Sequence, residues 1–424
     1  MELSKKPRGT YVHHTTCRFC QGSNLVKFLD FGDVPLAGAF LKPEEFESEK
    51  FYPLEIQFCR DCTLVQVNNA VPGDVLFRKN YFYFSSAIQT LVTHFGEFAK
   101  EMTERFLNPG QSFAVELGCN DGVLLKPLVA RGVRCLGVDP ATNVVQSIGS
   151  PDIQVVNDYF TEKVATSIRE QHGKADAVLS SFSFAHIDDM VDVMKGVKAL
   201  LKDDGVFVFE VYYLGIVLEE MQYDMIYHEH MSYYSLMALE KFFARFGMEI
   251  FDLKRIPLRA GTIRFYARNI GRRTEPISPA VDELRVYERR NKFDVVSTYM
   301  EYGDKVKKTR TDLLHLLDEL KRDGKRIIGY GASGRATTIM NFCGIDSRYL
   351  DFVVDDAPAK HGYCTPGTHV PIKPWSAVEG PSQPDYALVF AWSFIDEVKK
   401  KRIDYLRSGG KFIVPLPDVK VISE

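Results

Sequence analysis

The sequence lacks the features that mark membrane-spanning and secreted proteins. None of its apolar runs approaches the roughly 18 residues that a membrane-spanning helix requires. Its amino-terminal stretch, MELSKKPRGT, has no apolar core of the kind that signal peptides carry. We therefore expect a cytoplasmic protein, in which the eight cysteines stay reduced and serve a purpose other than disulfide bonding.

The sequence also lacks an excess of charge of either sign. Its 53 basic and 56 acidic residues leave a net charge of −3, which indicates no basic surface for nucleic acids or anionic membranes. With 45% hydrophobic and 26% charged residues, the composition is that of a globular protein. Its 424 residues are enough for two or three domains. These observations favour a small-molecule ligand over a nucleic acid or a membrane.

Four of the cysteines form two C-x-x-C pairs, Cys17 with Cys20 and Cys59 with Cys62. Each pair presents two thiolates from one tight turn, and two such turns make a closed tetrahedral zinc site. Because four thiolates leave no coordination position open, we interpret the zinc as structural, contributing on the order of 10 kcal/mol to folding. Unrelated cysteines or a redox pair are the alternatives, and the equal spacing of the two pairs speaks against both.

Residues 113–122, FAVELGCNDG, have the pattern of a strand, a glycine turn and the start of a helix. The apolar run before Glu116 predicts a buried strand. Gly118 and Gly122 allow a sharp turn that brings the backbone close to a ligand. Asp139 follows a second apolar run, at the position where doubly wound sheets hold a carboxylate against ribose hydroxyls. The pattern predicts an adenosine-type ligand.

This turn lacks the middle glycine of the dinucleotide fingerprint, because Asn120 stands in its place. A pyrophosphate cradle is therefore not indicated. The acidic Glu116 before the turn better suits a cationic ligand without phosphate, such as S-adenosylmethionine. The alternative is an ordinary α/β turn that binds no ligand.

Apolar runs alternate with helical patterns from residue 113 to residue 268, which is typical of α/β folds. A helix is expected before them, over residues 90–106. The expected strands match a seven-stranded methyltransferase sheet and cover residues 113–117, 134–138, 153–156, 176–180, 205–211, 249–253 and 262–267. His186 follows the fourth strand, at the sheet edge that faces the ligand crevice. A histidine buried in the core is the alternative.

Residues 227–230, Tyr-His-Glu-His, are the densest group of titratable side chains in the sequence. Their spacing is not H-E-x-x-H, so a metal pair on a helix is not indicated. In an extended strand, His228 and His230 would share one face. An imidazole beside a carboxylate takes up a proton near neutral pH, and we interpret the cluster as an acid–base site. The alternative is a polar loop over a domain boundary.

A second α/β unit follows a helical bridge over residues 275–324. Residues 326–330 predict a strand, and residues 329–334 form a G-x-G-x-x-G turn that runs into a helix. Such a turn binds the pyrophosphate of NAD or of a nucleotide-sugar at a helix N-terminus. Arg335 would add a phosphate contact.

Four motifs together resemble the nucleotide-sugar C-methyltransferases. They are the doubled C-x-x-C, the ELGCNDG turn at residues 116–122, the pair Glu229-His230, and the stretches GYGASGR at 329–335 and VDDAPAKHGYCTPGT at 354–368. Members of this family use S-adenosylmethionine to methylate carbon 3 of dTDP-linked 4-keto-6-deoxysugars. The resemblance covers nearly the whole chain.

The resemblance implies three domains in an α/β fold. A small zinc-binding domain would cover residues 1–75, and a Rossmann-like, class I S-adenosylmethionine-binding domain residues 76–274. A helical bridge and a second Rossmann-like domain without NAD chemistry would cover residues 275–424. We expect a monomer that acts on a nucleotide-sugar.

The resemblance also implies roles for individual residues. His230 would be the base that takes the proton from carbon 3, and the enolate so formed would attack the methyl group. The other catalytic residues would be Glu229, Tyr227, His186 and Tyr81. The cofactor would contact Glu116, Gly118, Asn120, Asp121, Gly122 and Asp139. The substrate would contact Gly331, Ser333, Gly334, Arg335, Lys360 and Tyr363.

Two other functions are compatible with the same motifs. The C-terminal glycine turn fits an NAD-dependent oxidoreductase acting on a nucleotide-sugar. A zinc module with two degenerate Rossmann units fits a non-catalytic nucleotide-binding protein. The titratable cluster at residues 227–230 speaks against the second, because a sensor has little use for a base.

Overall fold

A computed structural model describes residues 7–78, 83–258, 261–378 and 383–423 of the chain. It confirms the expected α/β architecture, with a zinc-type domain, a seven-stranded sheet and a second, smaller sheet with helices. Within these residues, no helix is both long enough and apolar enough to cross a bilayer.

The N-terminal part contains two antiparallel sheets, built from β1 (Val12–His13), β2 (Leu25–Pro35), β3 (Phe51–Cys59), β4 (Val65–Val67) and β5 (Asn69–Ala70). Strands β1 and β5 pair with each other, and the remaining three belong to a four-stranded sheet. Strands β2, β3 and β4 pair antiparallel. The fourth strand of this sheet comes from the middle of the chain, since Ser232–Tyr233 pairs with β4. The sheet therefore ties the N-terminal domain to the segment just after His230.

The middle part is built on a seven-stranded sheet. In chain order its helices and strands are α1 (Gln89–Arg105), β6 (Phe113–Leu117), α2 (Leu125–Val129), β7 (Arg134–Val138), α3 (Thr142–Val145), β8 (Gln154–Val156), α4 (Glu162–His172), β9 (Ala175–Ser181), α5 (Met190–Leu200), β10 (Leu201–Tyr212), α6 (Leu214–Glu219), β11 (Ser232–Tyr233, paired outside this sheet), α7 (Leu236–Ala244), β12 (Met248–Ile256) and β13 (Thr262–Asn269). The strand order is β12-β13-β10-β9-β6-β7-β8, and β13 runs antiparallel to its neighbours.

Local sequence explains these elements. Every residue of β6 is buried, as expected for a central parallel strand covered on both faces. Helix α1 buries Leu91, Phe95, Phe98 and Met102, which recur every three or four residues and so form one apolar stripe. Ser235 caps α7 by accepting a hydrogen bond from the Ala238 amide.

The C-terminal part begins with the predicted helical bridge, α8 (Pro279–Arg290) and α9 (Val296–Arg322). A six-stranded sheet follows, with order β16-β15-β14-β17-β18-β19, parallel except at β19. Its elements are β14 (Ile327–Tyr330), α10 (Gly334–Cys343), β15 (Val353–Val354), β16 (Ile372–Lys373), β17 (Tyr386–Val389), α11 (Ile395–Lys401), α12 (Ile403–Arg407), β18 (Lys411–Val414) and β19 (Lys420–Ile422). The glycine turn lies between β14 and α10, as the sequence predicts.

One apolar core joins all three parts of the chain. It contains Phe31 of β2, Tyr299 of α9 and Ile339 of α10, together with Tyr223 and Ile226 from the segment before His230. On the other side, Phe19 of the cysteine-rich turn stacks on Phe242 of α7 with 3.8 Å between ring centroids. The segment that carries His230 is thus held where the three parts meet.

Candidate active site

A cavity of about 600 Å³ lies at the carboxyl ends of the parallel strands, where open α/β sheets bind ligands. Gly118, Asp139, Ser181 and Tyr212, which end or follow strands β6, β7, β9 and β10, all line it. Residues 70–74 of the N-terminal domain and residues 229–231 line it as well. The glycine turn and His230 therefore open into one shared space.

The glycine turn has the backbone shape that its sequence predicts. Gly118 has a φ of +73°, and a Cβ there would lie 2.3 Å from the Cβ of Ser183, so no other residue fits without a shift. The carboxylate of Asp139 accepts hydrogen bonds from the amides of Asn120 (2.9 Å) and Ala141 (2.8 Å). These hydrogen bonds fix the backbone of the turn that follows strand β6.

Glu116 is the acidic residue at the end of β6, and it lines the cavity. Its Oε2 is buried and accepts no hydrogen bond from the residues that the structure describes. Burial, with the nearby charges of Asp139 and Asp121, raises the pKa of Glu116 well above its ordinary value. A buried carboxyl without a donor suits a ligand that brings its own positive charge, and S-adenosylmethionine carries both an ammonium and a sulfonium.

Asn120 and Asp121 hold a neighbouring segment of chain. The Asn120 side chain accepts from the Ser85 amide (2.9 Å) and donates to the Tyr83 carbonyl (3.0 Å). Asp121 accepts from the Ser86 amide at 2.9 Å. Asn120 lines the cavity, whereas Asp121 and Gly122 stand behind it. Their predicted contact with the cofactor stays a prediction, and these side chains have a second, structural use that the sequence did not reveal.

His230 lies on a tight turn, not on an extended strand, and is 3% exposed. Its Nδ1 donates to the carbonyl of Met225 at 2.7 Å. Because a carbonyl oxygen only accepts, Nδ1 carries the proton and Nε2 keeps its lone pair. Burial, with the nearby His186, lowers the pKa of His230 well below its ordinary value, so the ring is neutral.

Other predicted catalytic residues surround this imidazole. The ring centroids of Tyr227 and His186 lie 3.9 Å and 5.2 Å from that of His230. Burial lowers the pKa of His186 to about 4 and raises that of Glu229 to about 7. All four residues line the cavity. Tyr81 lies outside the described residues.

Tyr212, whose ring centroid is 5.0 Å from that of His230, is a site residue that was not predicted from the sequence. Tyr212 is the last residue of β10. The rule that singled out His186, that strand ends face the crevice, would have found it too. His228, by contrast, turns away from the cavity: its Nε2 faces the Pro53 carbonyl at 3.3 Å.

The four cysteines of the two C-x-x-C pairs come together. Their sulfur atoms all lie within 4.8 Å of one another, with Cys17 to Cys62 at 3.4 Å and Cys20 to Cys59 at 3.5 Å. Contacts among the thiols raise the pKa of Cys17 and Cys62 and lower that of Cys59. Four sulfur ligands at this spacing fit a tetrahedral zinc ion with Zn–S bonds of about 2.3 Å.

The residues predicted to bind the substrate in the C-terminal domain lie outside this cavity. Ser333 caps α10, and Lys360 donates to the Ala332 carbonyl (2.7 Å) and pairs with Asp355 (3.0 Å). Arg335 pairs with the buried Asp224. Gly331, Gly334 and Tyr363 do not line the cavity either. Substrate binding by this set stays a prediction.

Three known domain families match successive parts of the chain. Residues 17–77 match a zinc binding domain, residues 93–253 a methyltransferase domain, and residues 257–417 the C-methyltransferase C-terminal domain. The C-methyltransferase NovU from Streptomyces niveus is 33% identical over 409 residues, which are 96% of each chain.

Solved structures resemble part of the chain. An S-adenosylmethionine-dependent methyltransferase from Clostridium acetobutylicum is 16% identical, with a TM-score of 0.34, over 47% of this chain and 96% of that one. The CcbJ methyltransferase from Streptomyces caelestis is 13% identical, with a TM-score of 0.32, over 41% of this chain and 89% of that one. The extent and identity of the match with NovU show that the chain belongs to the S-adenosylmethionine-dependent C-methyltransferases.

Proposed function

We propose that the enzyme methylates carbon 3 of a dTDP-linked 4-keto-6-deoxysugar through an enolate. The observation that supports this most directly is the shared cavity, in which His230 and residues 118–120 of the glycine turn face the same space. A ketone at carbon 4 acidifies the hydrogen on carbon 3, so a single base is enough to generate the nucleophile. Bound S-adenosylmethionine supplies the electrophilic methyl group.

His230 has the form that a base requires. Nδ1 carries the proton and is fixed on the Met225 carbonyl, so Nε2 is the atom that receives the proton from carbon 3. Such a base contributes roughly 10²- to 10⁴-fold to the rate. Glu229 lines the same cavity and, with a pKa of about 7, is partly ionised at neutral pH. Its negative charge then stabilises the imidazolium.

The enolate oxygen needs a hydrogen-bond donor. The Nε2 of His186 is buried and contacts no hydrogen-bond partner among the described residues, and the neutral ring can carry its proton there. Tyr227 lines the cavity beside it. A donor aimed at a developing oxyanion contributes roughly 3 kcal/mol. We therefore assign His186 and Tyr227 to the stabilisation of the enolate.

Exchange of the carbon-3 hydrogen in D₂O tests the base separately from methyl transfer. A small panel of dTDP-4-keto-6-deoxysugars is incubated with the enzyme, with and without labelled S-adenosylmethionine, and read by mass spectrometry. We expect His230→Ala to lose both deuterium uptake and methylation while its affinity for S-adenosylmethionine, measured by calorimetry, stays close to wild type. Exchange or turnover at the wild-type rate would remove His230 from this role.

His228→Gln is the matched control. His228 is also a buried histidine on the same turn, at 1% exposed, but it does not line the cavity. We expect this variant to lose some stability and to keep deuterium uptake and methylation. Equal losses in both variants would mean that the turn, and not the imidazole of His230, is what matters.

A further inference from the structure

We propose that Arg335 of the C-terminal domain is a positioning residue, which holds the His230 imidazole in its reactive orientation through the buried carboxylate of Asp224. The inference rests on the proposed function, because it assigns a purpose to an orientation that matters only if His230 is a base. It gives the C-terminal glycine turn a part in catalysis that requires no contact with a ligand.

Asp224 is completely buried and lies on a single turn of 3₁₀ helix, Tyr223–Met225, just before the turn that carries His230. Its carboxylate accepts hydrogen bonds from Arg335 Nε (2.7 Å) and Nη2 (3.1 Å) and from Trp392 Nε1 (2.7 Å). Arg335 and Trp392 both belong to the C-terminal domain. A buried carboxylate paired in this bidentate way is fixed in both position and angle.

The residue after Asp224 provides the connection to the base. The carbonyl of Met225 accepts from His230 Nδ1 at 2.7 Å and from the Tyr233 hydroxyl at 3.0 Å. Helix α10, which begins beside Arg335, also contacts the next carbonyl, since Thr338 Oγ1 donates to Ile226 O at 3.3 Å. Fixing residues 224–226 therefore fixes the acceptor that selects the tautomer of His230.

Helix α10 also supports the ring that covers the imidazole. A Cβ built on Gly334 would lie 3.9 Å from Cζ of Tyr227, so the first residue of the helix lies next to that tyrosine with no side chain between them. The Tyr227 ring in turn lies against His230. The beginning of α10 thus reaches His230 by two routes, one through a backbone carbonyl and one through an aromatic ring.

Three of the five N–H groups of the Arg335 guanidinium are already bonded within the protein. Nε and Nη2 are used by Asp224, Nη1 donates to Ser393 Oγ at 3.0 Å, and the plane lies 4.8 Å from the ring centroid of Trp392. These contacts favour a positioning role over phosphate binding.

The test is a ¹⁵N NMR measurement of the histidine tautomer in the full-length, ¹⁵N-histidine-labelled protein, recorded without a keto-sugar. A single tautomer gives two widely separated ring-nitrogen signals, and interconverting tautomers give averaged ones. The His230 signals are assigned by their loss in His230→Gln. We expect a fixed Nδ1–H tautomer in the wild type and averaged signals in Asp224→Asn and Arg335→Lys. Trp392→Phe, which removes one donor of three, should lie between them.

Arg402→Lys is the matched control. Arg402 lies in the same domain, pairs with Asp356, and has its guanidinium 4.3 Å from the ring centroid of Trp375. We expect it to keep the wild-type His230 signals. With a substrate that is turned over, Arg335→Lys should lower kcat about 10- to 100-fold, a part of what a general base contributes, and leave the KM for S-adenosylmethionine unchanged.

Two outcomes would overturn the proposal. One is a folded Arg335→Lys or Trp392→Phe variant with wild-type His230 signals, which remains decisive if Asp224→Asn fails to fold. The other is a change in the His230 signals of Arg402→Lys that is as large as the change in Arg335→Lys. Because the spectra need no keto-sugar, a wrong assignment of the substrate would appear as absent turnover with the tautomer result intact.

Discussion

Glu229 shows how a single half-buried group links the candidate active site to stability. It precedes His230 in the sequence, lines the cavity and has a pKa raised by burial from an ordinary value of 4.5 to about 7. The unfolded chain therefore ionises this carboxyl at lower pH than the folded enzyme does. The ionisation of Glu229 costs stability as the pH rises from about 4.5 to about 7, and the cost is constant above that range.

Replacing Glu229 should remove this pH-dependent cost. Between pH 5 and pH 8, we expect wild type to lose about 2 kcal/mol of unfolding free energy relative to Glu229→Gln. Urea unfolding of both proteins at the two pH values measures the difference. The buried histidines, whose lowered pKa values act in the opposite direction, are common to both proteins and cancel. Parallel pH profiles would show that Glu229 ionises normally.

At the scale of elements, helix α1 is attached to the central sheet by buried charges. The guanidinium of Arg264 on β13 pairs with Glu210 on β10 (2.7 Å) and with Glu101 on α1 (2.9 Å). His94 on α1 also contacts the Glu210 carboxylate, at 2.9 Å. Burial alone would raise the pKa of Glu210, but the bond from His94 and the charge of Arg264 lower it. The helix and two strands thus share one charge network.

Removing the central cation should loosen this attachment. In Arg264→Leu, the fully buried Glu210 loses its strongest counter-charge, and we expect a loss of about 3–5 kcal/mol of unfolding free energy. Arg268→Leu, four positions on in the same strand, is the control. Arg268 is also buried and lies over a phenylalanine ring, but its partner Glu249 remains 29% exposed, so water can solvate it. Similar losses in both variants would contradict the role of Glu210.

At the scale of the whole molecule, the zinc-type domain contacts the methyltransferase cavity directly. Arg18 follows Cys17 in the first cysteine turn, and its buried side chain donates to Asp188 at 2.9 Å. Asp188 lines the cavity two residues after His186. The shape of the cysteine turn and the shape of the cavity are therefore connected.

Loss of the metal should consequently weaken cofactor binding as well as stability. We expect about one zinc ion per chain in the purified protein and less in Cys59→Ser, measured by mass spectrometry of the metal. Cys135→Ser, which changes a buried cysteine outside the cluster, should keep its zinc. Calorimetry should show a lower affinity for S-adenosylmethionine once the metal is removed. Unchanged affinity after complete removal would contradict the connection through Arg18.

Local sequence patterns were enough to predict the seven-stranded sheet and the individual motifs that line the cavity. Strand β6 runs over Phe113–Leu117 as predicted. An apolar run followed by glycines can be recognised from residues that are neighbours in the sequence. Strand β11 could not be predicted, since two residues form a strand only when another domain supplies the partner. Asp224 had no visible role, because Arg335 is 111 positions away and no local pattern links the two.

The attachment of the turn that carries His230 to helix α10 has a consequence for hybrid enzymes. A hybrid that follows this chain up to β13 and a relative from α8 onward would keep Asp224 and Met225 but place a residue of the relative opposite them. If that relative has no arginine at the position equivalent to 335, Asp224 is left buried without its cation. Crossovers that inherit residues 223–233 and α10 from one parent avoid this mismatch, whatever the origin of the remaining sequence.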